Sequence, residues 1–466
     1  MKMWAGRFRE PLDPAFERWQ RSFEFDKRLL EYELQASAAH ARALKEAAIL
    51  SSSELITVLQ GLETIGVEAG SPSFLQDEEA EDVHHFVERK LVSVAGEAGY
   101  KLHSGRSRNE QIATDLRLYT RASVDHIQMQ LGEWLEVLLD RAEESKDAAM
   151  PAYTHLQRAE PVLVAHWLLA YVEMFLRDGS RLADCRARLN VSPLGSGAVS
   201  GASLPLNRGT MANALGFSGV TANSIDATSD RDYVIEFVNS LSLLALHLSR
   251  WAEEMILFSS REFGFVVAPD LYSTGSSAMP QKKNADLLEL TRAKAARILG
   301  DATALAVSVK GLPLAYNKDL QEMQEPLFHA AETVLSLLPL VTGWMRSADF
   351  SYDSMQRAAQ TGFMNAWAAA TYLVRRGVAF RQAHENIGKA VQLCLERGCE
   401  LQDLALTELR HFNLAFEEDI YEHLSLKSVL DIHDVPGGTA PTRVRQALAD
   451  ARQKVNSILE KSHAHA

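Results

Sequence analysis

The stretch Val234-Ile-Glu-Phe-Val-Asn-Ser-Leu-Ser-Leu-Leu-Ala-Leu-His-Leu-Ser-Arg-Trp-Ala-Glu-Glu-Met255 indicates the fold class. Its apolar residues recur at spacings of three and four, and no glycine or proline interrupts them. This spacing places the apolar side chains on one face of an α-helix that is roughly 30 Å long. The pattern therefore predicts a long amphipathic helix whose apolar face packs against other helices, within one chain or between subunits.

Other segments repeat this helical pattern, whereas alternating strand patterns are scarce. Long helices are expected over residues 107–147 and 284–310. A fourth helix crosses Pro326 and Pro339, where we expect kinks or breaks because proline removes a backbone donor. Only residues 265–267 suggest a short extended piece. We therefore predict a mainly α fold with a long central helical bundle.

Length and composition are those of a large globular protein. The chain has 466 residues, of which 47% are hydrophobic and 23% charged. A chain of this length suggests roughly three domains. The predicted segments are an N-terminal helical domain (1–105), a central long-helix domain (106–357) that carries the loop 275–284 and a small C-terminal helical domain (358–466).

Charge and cysteine content exclude several classes of function. The net charge is −13 and no broad basic stripe is visible, which argues against nucleic-acid binding. The odd number of cysteines (Cys185, Cys394 and Cys399) favours free thiols in a reducing compartment. Residues 1–9 lack an apolar signal core, and no run approaches the roughly 18 apolar residues of a membrane span. We therefore expect a cytoplasmic protein.

The run from Gly275 to Asn284, Gly-Ser-Ser-Ala-Met-Pro-Gln-Lys-Lys-Asn, is the strongest chemical signal. Gly-Ser-Ser supplies a flexible backbone and two hydroxyl groups, and Pro280 stiffens the second half. Lys282 and Lys283 can hold an anion where the loop closes. The combination suits chemistry on a polyanionic substrate behind a lid, and the alternative is an ordinary Ser/Lys surface loop.

A second candidate site lies in the run 104–110, Ser-Gly-Arg-Ser-Arg-Asn-Glu, which is typical of a turn into a helix. Ser107 and Glu110 fit a capping box and place Arg108 and Asn109 in the first turn. Free backbone N–H groups and a guanidinium would then converge on one spot, as carboxylate binding requires. The alternative is a capped helix with solvated arginines.

Histidines in polar segments are candidates for proton transfer. His155 lies in the irregular run 153–161, and an ordinary pKa of about 6.5 would suit it as a proton shuttle, although most loop histidines are structural. The adjacent His84 and His85 diverge by about 100° on a helix and would chelate a metal poorly. We therefore predict no metal site, and a binding role for His84 stays open.

Two further polar runs have both structural and functional interpretations. The acids of residues 226–232 suit the start of the central helix, but Arg231 could also reach an anion. Residues 316–322 form either a surface turn or the wall of a buried site.

Together these segments resemble the argininosuccinate lyases, a family of the fumarase/aspartase superfamily with δ-crystallin relatives. The resemblance runs from Trp4-Ala-Gly-Arg-Phe8 to Pro436-Gly-Gly-Thr-Ala-Pro441 and includes Gln281-Lys-Lys-Asn284. It implies the superfamily's three-domain fold and the elimination of argininosuccinate to arginine and fumarate. It also implies no cofactor, and a homotetramer in which three subunits build each active site.

The resemblance also implies roles for individual residues. Ser276 would take the carbon-bound proton, and His155, oriented by Glu289, would serve the leaving nitrogen. Which of Ser276 and His155 is base and which is acid stays open. Lys282 and Asn284 would hold the developing dianion. Substrate contacts are expected from Ser22, Asp26, His84, Arg108, Asn109, Thr154, Arg231, Tyr316 and Gln321.

The sequence departs from the family pattern in several places. Met323 and Gln324 stand where many members have Asp-Lys, so that one cationic substrate contact is missing. Glu110, Ala285 and Glu160 are milder replacements. We expect Gln324 to alter affinity more than chemistry.

Two alternative functions remain at this point. A sister enzyme such as adenylosuccinate lyase would perform the same elimination on another amine, but the Gln281–Asn284 run and both chain ends argue against it. A catalytically silent bundle protein like δ-crystallin is the other alternative. The presence of Ser276, His155 and Lys282 argues against that one.

Overall fold

The computed structural model describes residues 10–463. The run Trp4–Phe8 and the whole of segment 1–9, for which no signal core is predicted, lie outside the described residues.

Within residues 10–463 the chain is predominantly helical. The helices are α1 (Pro14–Trp19), α2 (Phe23–Asp26), α3 (Leu30–Glu46), α4 (Ser52–Glu68), α5 (Val83–Ala95), α6 (Glu97–Lys101), α7 (Arg108–Glu144), α8 (Val164–Leu189), α9 (Arg208–Ala214), α10 (Ser224–Ser229), α11 (Asp232–Ser259), α12 (Asp286–Val309), α13 (Gln324–Ser347), α14 (Tyr352–Ala358), α15 (Ala366–Arg375), α16 (Phe380–Arg397), α17 (Leu406–Phe412), α18 (Ile420–His423), α19 (Leu426–Asp431) and α20 (Pro441–His463). The predicted mainly α fold is confirmed.

Short strands lie between the helices, and each of them pairs with one other strand. The strands are β1 (Ala149–Thr154), β2 (Gln157–Leu163), β3 (Val191–Ser192), β4 (Gly219–Val220), β5 (Val266–Val267), β6 (Thr274–Gly275), β7 (Lys283–Asn284) and β8 (Asp349–Phe350). Three pairs are antiparallel (β1–β2, β5–β8 and β6–β7), and β3–β4 is parallel. The predicted extended piece at residues 265–267 corresponds to β5.

The helix predicted from the 234–255 pattern is α11. Its N-terminus is fixed because the Asp230 carboxylate accepts the Asp232 N–H at 2.8 Å. The apolar stripe is fully buried, with Phe237, Leu241 and Leu248 each 0% exposed. The other two long helices predicted are α7 and α12, with ends within three residues of those expected.

Of the kinks or breaks predicted at the prolines, a break is wrong, because α13 runs from Gln324 to Ser347 through both of them, and a kink stays a prediction. Pro326 lies in the first turn, where the backbone N–H has no intrahelical partner in any case. Pro339 lies inside the helix and removes one backbone hydrogen bond. Leu337, Leu338 and Val341 around it are buried, and their packing offsets that loss.

The chain forms two compact units. The first comprises the described residues up to Asp125 together with Arg181–Ser242 and Arg297–Thr333. In it, α3 packs against α4, α5 and α9. A buried apolar cluster lies beside α9, formed by Ala39, Ala43, Leu118, Leu194, Met211, Ala212, Leu215 and Phe217.

The second unit comprises His126–Ser180, Leu243–Ala296 and the described residues from Val334. Its long helices pack through buried aromatic rings. Trp251 of α11 lies 4.9 Å from Trp134 of α7 and 5.4 Å from Trp344 of α13, measured between ring centroids. Trp134 also meets Phe175 of α8 at 5.6 Å. Burial of side chains of this size contributes about 1.5–3 kcal/mol each, so the bundle is the stable centre of this unit.

Helix α13 and the segment before it bear on whether part of the chain could cross a membrane. Within the described residues one stretch, Lys318–Ser347, is long and apolar enough to cross a membrane by length and composition. In its apolar 18-residue part, 61% is buried inside the protein, as is typical of a core helix. The three cysteines are free thiols, as predicted. The domain boundaries near residues 105 and 357 stay a prediction.

Candidate active site

Ser276 lies on the loop that joins β6 to β7. The antiparallel pair matches Gly275 with Lys283, so the residues between them form a closed hairpin loop. The Ser276 hydroxyl oxygen accepts hydrogen bonds from the backbone N–H groups of Ala278 (3.3 Å) and Met279 (3.2 Å). Two N–H donors stabilise negative charge on this oxygen, which is what a serine needs in order to act as a base.

The two lysines of this loop differ in their partners. Lys283 bonds the Ala268 carbonyl oxygen and pairs with Asp270 at 2.5 Å, so its charge is already used. The Lys282 side chain is exposed, and within residues 10–463 it forms no ion pair. Asn284 donates to the Gly275 carbonyl oxygen at 3.3 Å. Lys282 is therefore the cation that this loop can offer to an anion.

His155 stands at the tip of the β1–β2 hairpin. His155 and Leu156 have φ of 55° and 58°, the left-handed values of a two-residue turn between antiparallel strands. Thr154 pairs with Gln157 directly below this turn, and all four side chains are exposed. The hairpin therefore presents His155 and Thr154 to solvent on a fixed backbone.

The second unit does not bring its four predicted catalytic residues into contact. Within the part of the chain that the structure describes, no hydrogen bond joins His155 to Glu289 or to Ser276. Glu289 is exposed in the first turn of α12. The orientation of His155 by Glu289 therefore stays a prediction.

In the first unit, several predicted substrate contacts meet at the N-terminus of α5. Ser22 donates its hydroxyl hydrogen to Asp26 at 2.6 Å, and Asp26 also accepts the Val83 N–H at 3.0 Å. Arg108 donates to Asp82, the residue before α5, at 3.1 Å. The structure thus connects Ser22, Asp26 and Arg108 through one helix end.

The predicted capping box at the start of α7 is present in part. Glu110 accepts the Ser107 N–H at 3.0 Å, as expected. The Ser107 hydroxyl accepts the N–H of Asn109 at 3.2 Å, one residue earlier than the pattern predicts. Arg108 and Asn109 nevertheless lie in the first helical turn, with their side chains partly exposed.

Arg231, a predicted substrate contact with a charged side chain, is only 1% exposed. One of its nitrogens, Nη1, donates to the Asp230 carbonyl oxygen at 2.8 Å. The other two, Nε and Nη2, are buried and have no hydrogen-bond partner among the described residues. A buried guanidinium with unused donors is suited to a carboxylate ligand.

Tyr316 and Gln321 lie in the segment before α13. Burial raises the pKa of Tyr316, although nearby Arg231 acts in the opposite direction. Gln321 is 7% exposed and donates to the Gln20 carbonyl oxygen at 3.3 Å. The run 316–322 is therefore partly buried, as a site wall would be.

The sequence interpretation missed several buried charged residues of this unit. Arg117 bonds Asp230 and the Leu189 carbonyl oxygen, and its guanidinium lies 4.4 Å from the Tyr233 ring centroid. It thereby fixes the residue that precedes Arg231. Glu33 and Asp115 were also missed. In the sequence, each of these appears only as a charged residue on an apolar helix face. The pattern of α7 did not single out Arg117 or Asp115.

Asp26 gives a pH-dependent prediction. Burial, reinforced by nearby Asp82, raises its pKa from 3.8 to about 7. The folded state therefore binds this proton more tightly than the unfolded state, and the resulting stability is lost as the pH rises through about 7. We expect wild type to lose stability relative to Asp26→Asn between about pH 4 and about pH 8. Urea unfolding at each pH measures the difference.

The matched control is Glu24→Gln, an exposed acid in the same short helix. The stability difference between this variant and wild type should not change over the same range. A constant difference for Asp26→Asn would contradict the raised pKa.

The departure at residues 323–324 gives a second prediction. Met323 and Gln324 are 1% and 3% exposed, so a lone lysine at 324 would be buried beside an apolar neighbour. We expect Gln324→Lys to shift the Michaelis constant and to destabilise the fold by about 3 kcal/mol. Met323→Asp/Gln324→Lys should recover part of that stability. Steady-state kinetics and urea unfolding measure both effects, and an unchanged Michaelis constant would mean that another cation fills this place.

Comparison with known proteins identifies the class of enzyme. A family profile described as Lyase matches residues 6–300, so the chain is an enzyme of the lyase class. A second profile, described as Argininosuccinate lyase C-terminal, matches residues 363–431. The chain belongs to the argininosuccinate lyase family, and the resemblance noted from its motifs is confirmed.

Full-length relatives support this assignment. The chain is 56% identical to an argininosuccinate lyase from Koribacter versatilis, with 100% of both chains covered. It is 55% identical to one from Acidobacterium capsulatum, over 98% of this chain and 96% of the other. A third, from Pelotomaculum thermopropionicum, is 48% identical over 97% of this chain and 99% of the other.

Solved structures support the fold. An EDDS lyase variant with bound fumarate superposes with a TM-score of 0.82 at 25% identity, covering 98% of this chain and 93% of the other. The 3-carboxy-cis,cis-muconate lactonizing enzyme from Pseudomonas putida has a TM-score of 0.73 at 20% identity, over 95% and 100%. The second comparison concerns the fold alone.

Proposed function

We propose that the protein catalyses the reversible β-elimination of argininosuccinate to arginine and fumarate, as a step of arginine biosynthesis. The observation that carries the proposal is the Ser276 hydroxyl, which accepts two backbone N–H donors on a loop that also presents Lys282. Three relatives that are 48–56% identical over at least 97% of the chain carry the name argininosuccinate lyase, which supports this substrate over others.

The main requirement of the reaction is stabilisation of the negative charge that develops on the substrate. Removal of a weakly acidic C–H next to a carboxylate places two negative charges on that carboxylate. Ser276 takes the proton, and its N–H donors stabilise the alkoxide form. Lys282 neutralises the dianion, and preorganised donors of this kind contribute several kcal/mol each in a site that excludes water. Asn284 would join it by exchanging its bond to the Gly275 carbonyl oxygen for the substrate.

His155 donates a proton to the nitrogen that leaves, and Glu289 orients it. The reverse assignment, with His155 as base and Ser276 as acid, is the alternative for the same two residues. In either case Arg231, Arg108 and Asn109 bind the substrate carboxylates. The remaining contacts proposed are Ser22, Asp26, His84, Thr154, Tyr316 and Gln321.

The active site is shared between subunits of a cytoplasmic homotetramer, with three chains contributing to each site. This proposal is supported by the exposure of His155 and Lys282 and the partial exposure of Ser276, none of which contacts another within the described part of one chain. The central bundle of the proposed three-domain chain is the part that would associate. At a substrate concentration where neither variant alone turns over measurably, mixing Ser276→Ala with Arg231→Met after mild dissociation should restore partial activity if the two residues serve one site from different subunits. Sustained inactivity of the mixture would contradict sharing between them.

The test of the activity is direct. Purified protein is given argininosuccinate or adenylosuccinate, and the absorbance of fumarate is followed. We expect turnover of argininosuccinate. Turnover of adenylosuccinate alone would favour the sister enzyme, and no turnover of either substrate would favour a silent structural protein.

A further inference from the structure

A cluster of buried charged side chains lies in the first unit and includes His84, one of the predicted substrate contacts. Glu33 of α3 is 1% exposed, His84 of α5 is 6% and Asp115 of α7 is 0%. His84 Nδ1 lies 2.9 Å from Glu33 Oε2 and 3.7 Å from Asp115 Oδ2. One imidazole therefore faces two carboxyl groups in a place closed to solvent.

The two carboxyl groups have very different surroundings. Glu33 accepts hydrogen bonds from the Ser37 hydroxyl (2.6 Å) and the Gln111 amide (3.1 Å), and Arg106 lies 3.7 Å away. Both oxygens of Asp115 are buried and accept no hydrogen bond from the described residues. A buried carboxylate without donors costs several kcal/mol, whereas a protonated carboxyl group can donate to its neighbour. Glu33 is thus the anion of the pair, and Asp115 carries the proton.

The charges that face the cluster agree with this assignment. Burial, followed by the charge of Glu33, raises the pKa of Asp115 well above its usual range. Burial would raise the pKa of Glu33 as well, but His84 and Arg106 lower it. Burial would lower the pKa of His84, yet Glu33 raises it, with contributions from Asp82 and Asp26.

A metal ion does not explain the cluster equally well. The distance of 2.9 Å between His84 Nδ1 and Glu33 Oε2 is that of a charge-assisted hydrogen bond. Arg106 lies 3.7 Å from Glu33 and already supplies one positive charge, so a divalent cation would bring two further charges beside it. A proton between the two carboxyl groups brings one charge where a divalent cation would bring two, and the facing atoms of Glu33, His84 and Asp115 all lie within 4.8 Å of one another.

We propose that Glu33 and Asp115 share one proton and together hold His84 as an imidazolium, which fixes the N-terminus of α5 and thereby positions Arg108 for the substrate. The connection runs along the backbone of α5. Val83, next to His84, donates its N–H to Asp26, and Asp82 accepts from Arg108. Glu33 and Asp115 are positioning residues, because they act on the substrate only through these neighbours. This inference rests on the proposed function for its kinetic effect, but not for its effect on folding.

Four variants test the proposal. Asp115→Asn keeps a neutral donor towards Glu33, so its Michaelis constant should stay within about twofold of wild type. Asp115→Leu removes the donor, and Glu33→Gln removes the anion. Both should raise the Michaelis constant about tenfold, through misplacement of Arg108, with kcat changed much less. Glu31→Gln, an exposed acid on the same helix, is the matched control and should behave as wild type.

Stability against pH gives an independent readout. The raised pKa of His84 adds stability that is lost as the pH rises through that pKa, so the difference between wild type and Glu33→Gln should shrink in alkaline solution. Equal damage by Asp115→Asn and Asp115→Leu would overturn the shared proton, as would a Glu33→Gln variant that matches Glu31→Gln. Stoichiometric metal in the purified protein would also overturn it. If Glu33→Gln does not fold, the two Asp115 variants still decide the matter. Should wild type fail to cleave argininosuccinate, the proposed function is wrong, and the unfolding curves still test the proton.

Discussion

Ser276→Ala is expected to abolish turnover of argininosuccinate while leaving the melting temperature almost unchanged. The Ser276 hydroxyl is the only atom of that side chain that could accept the carbon-bound proton, and general acid–base groups contribute about 10²–10⁴-fold to the rate. Its two hydrogen bonds, from the N–H groups of Ala278 and Met279, lie on a loop whose other side chains are mostly exposed. Their loss therefore costs little stability. Initial rates and calorimetric melting measure the two effects.

Ser277→Ala is the matched control for this variant. Ser277 is the adjacent residue, carries the same hydroxyl and is exposed. We expect its rate to stay within about twofold of wild type, because exposed substitutions without special contacts have small effects. If Ser276→Ala kept its activity, the assignment of Ser276 would be wrong. If both variants lost activity equally, the loop backbone and not one hydroxyl would be responsible.

The long helices could be predicted from sequence because their signal is periodic and local. The apolar positions of α11 repeat over many turns, and Asp230 caps the helix at its first residue, Asp232. The break predicted at Pro339 is wrong because proline removes one hydrogen bond, whereas burial of the surrounding leucines contributes more. Helix propensity depends on residues that are neighbours in the chain, whereas the packing that outweighs it depends on residues far away in the chain.

The sequence singles out candidate residues where polar runs interrupt apolar helices, as at Ser276, His155 and Arg108, and their roles stay predictions. It was not predictable where a charged residue lies inside an otherwise regular helix. Asp115 resembles a solvated position of α7 in the sequence, yet it is fully buried, because α3 and α5 supply Glu33 and His84. These partners come from two other helices, and no spacing within α7 indicates them.

Arg231→Met is expected to weaken substrate binding strongly without destabilising the fold. Arg231 Nε and Nη2 are buried without partners among the described residues, and each charge-assisted hydrogen bond to a carboxylate is worth about 1.5–3 kcal/mol. Loss of two such bonds should raise the Michaelis constant about 100-fold or more. A buried guanidinium with unused donors costs stability, so methionine of similar length should leave the melting temperature equal or higher. Steady-state kinetics and calorimetric melting check these opposite signs.

The opposite signs separate a binding role from a structural one. Arg188→Met, which removes an exposed arginine paired with Glu236, is the control and should change neither the Michaelis constant nor the melting temperature appreciably. Fumarate should raise the melting temperature of wild type by mass action and should do so much less in Arg231→Met. A variant that melts several degrees lower and binds fumarate normally would show that Arg231 supports the fold through Asp230. In that case the unused donors of the Arg231 guanidinium would not bind a carboxylate ligand.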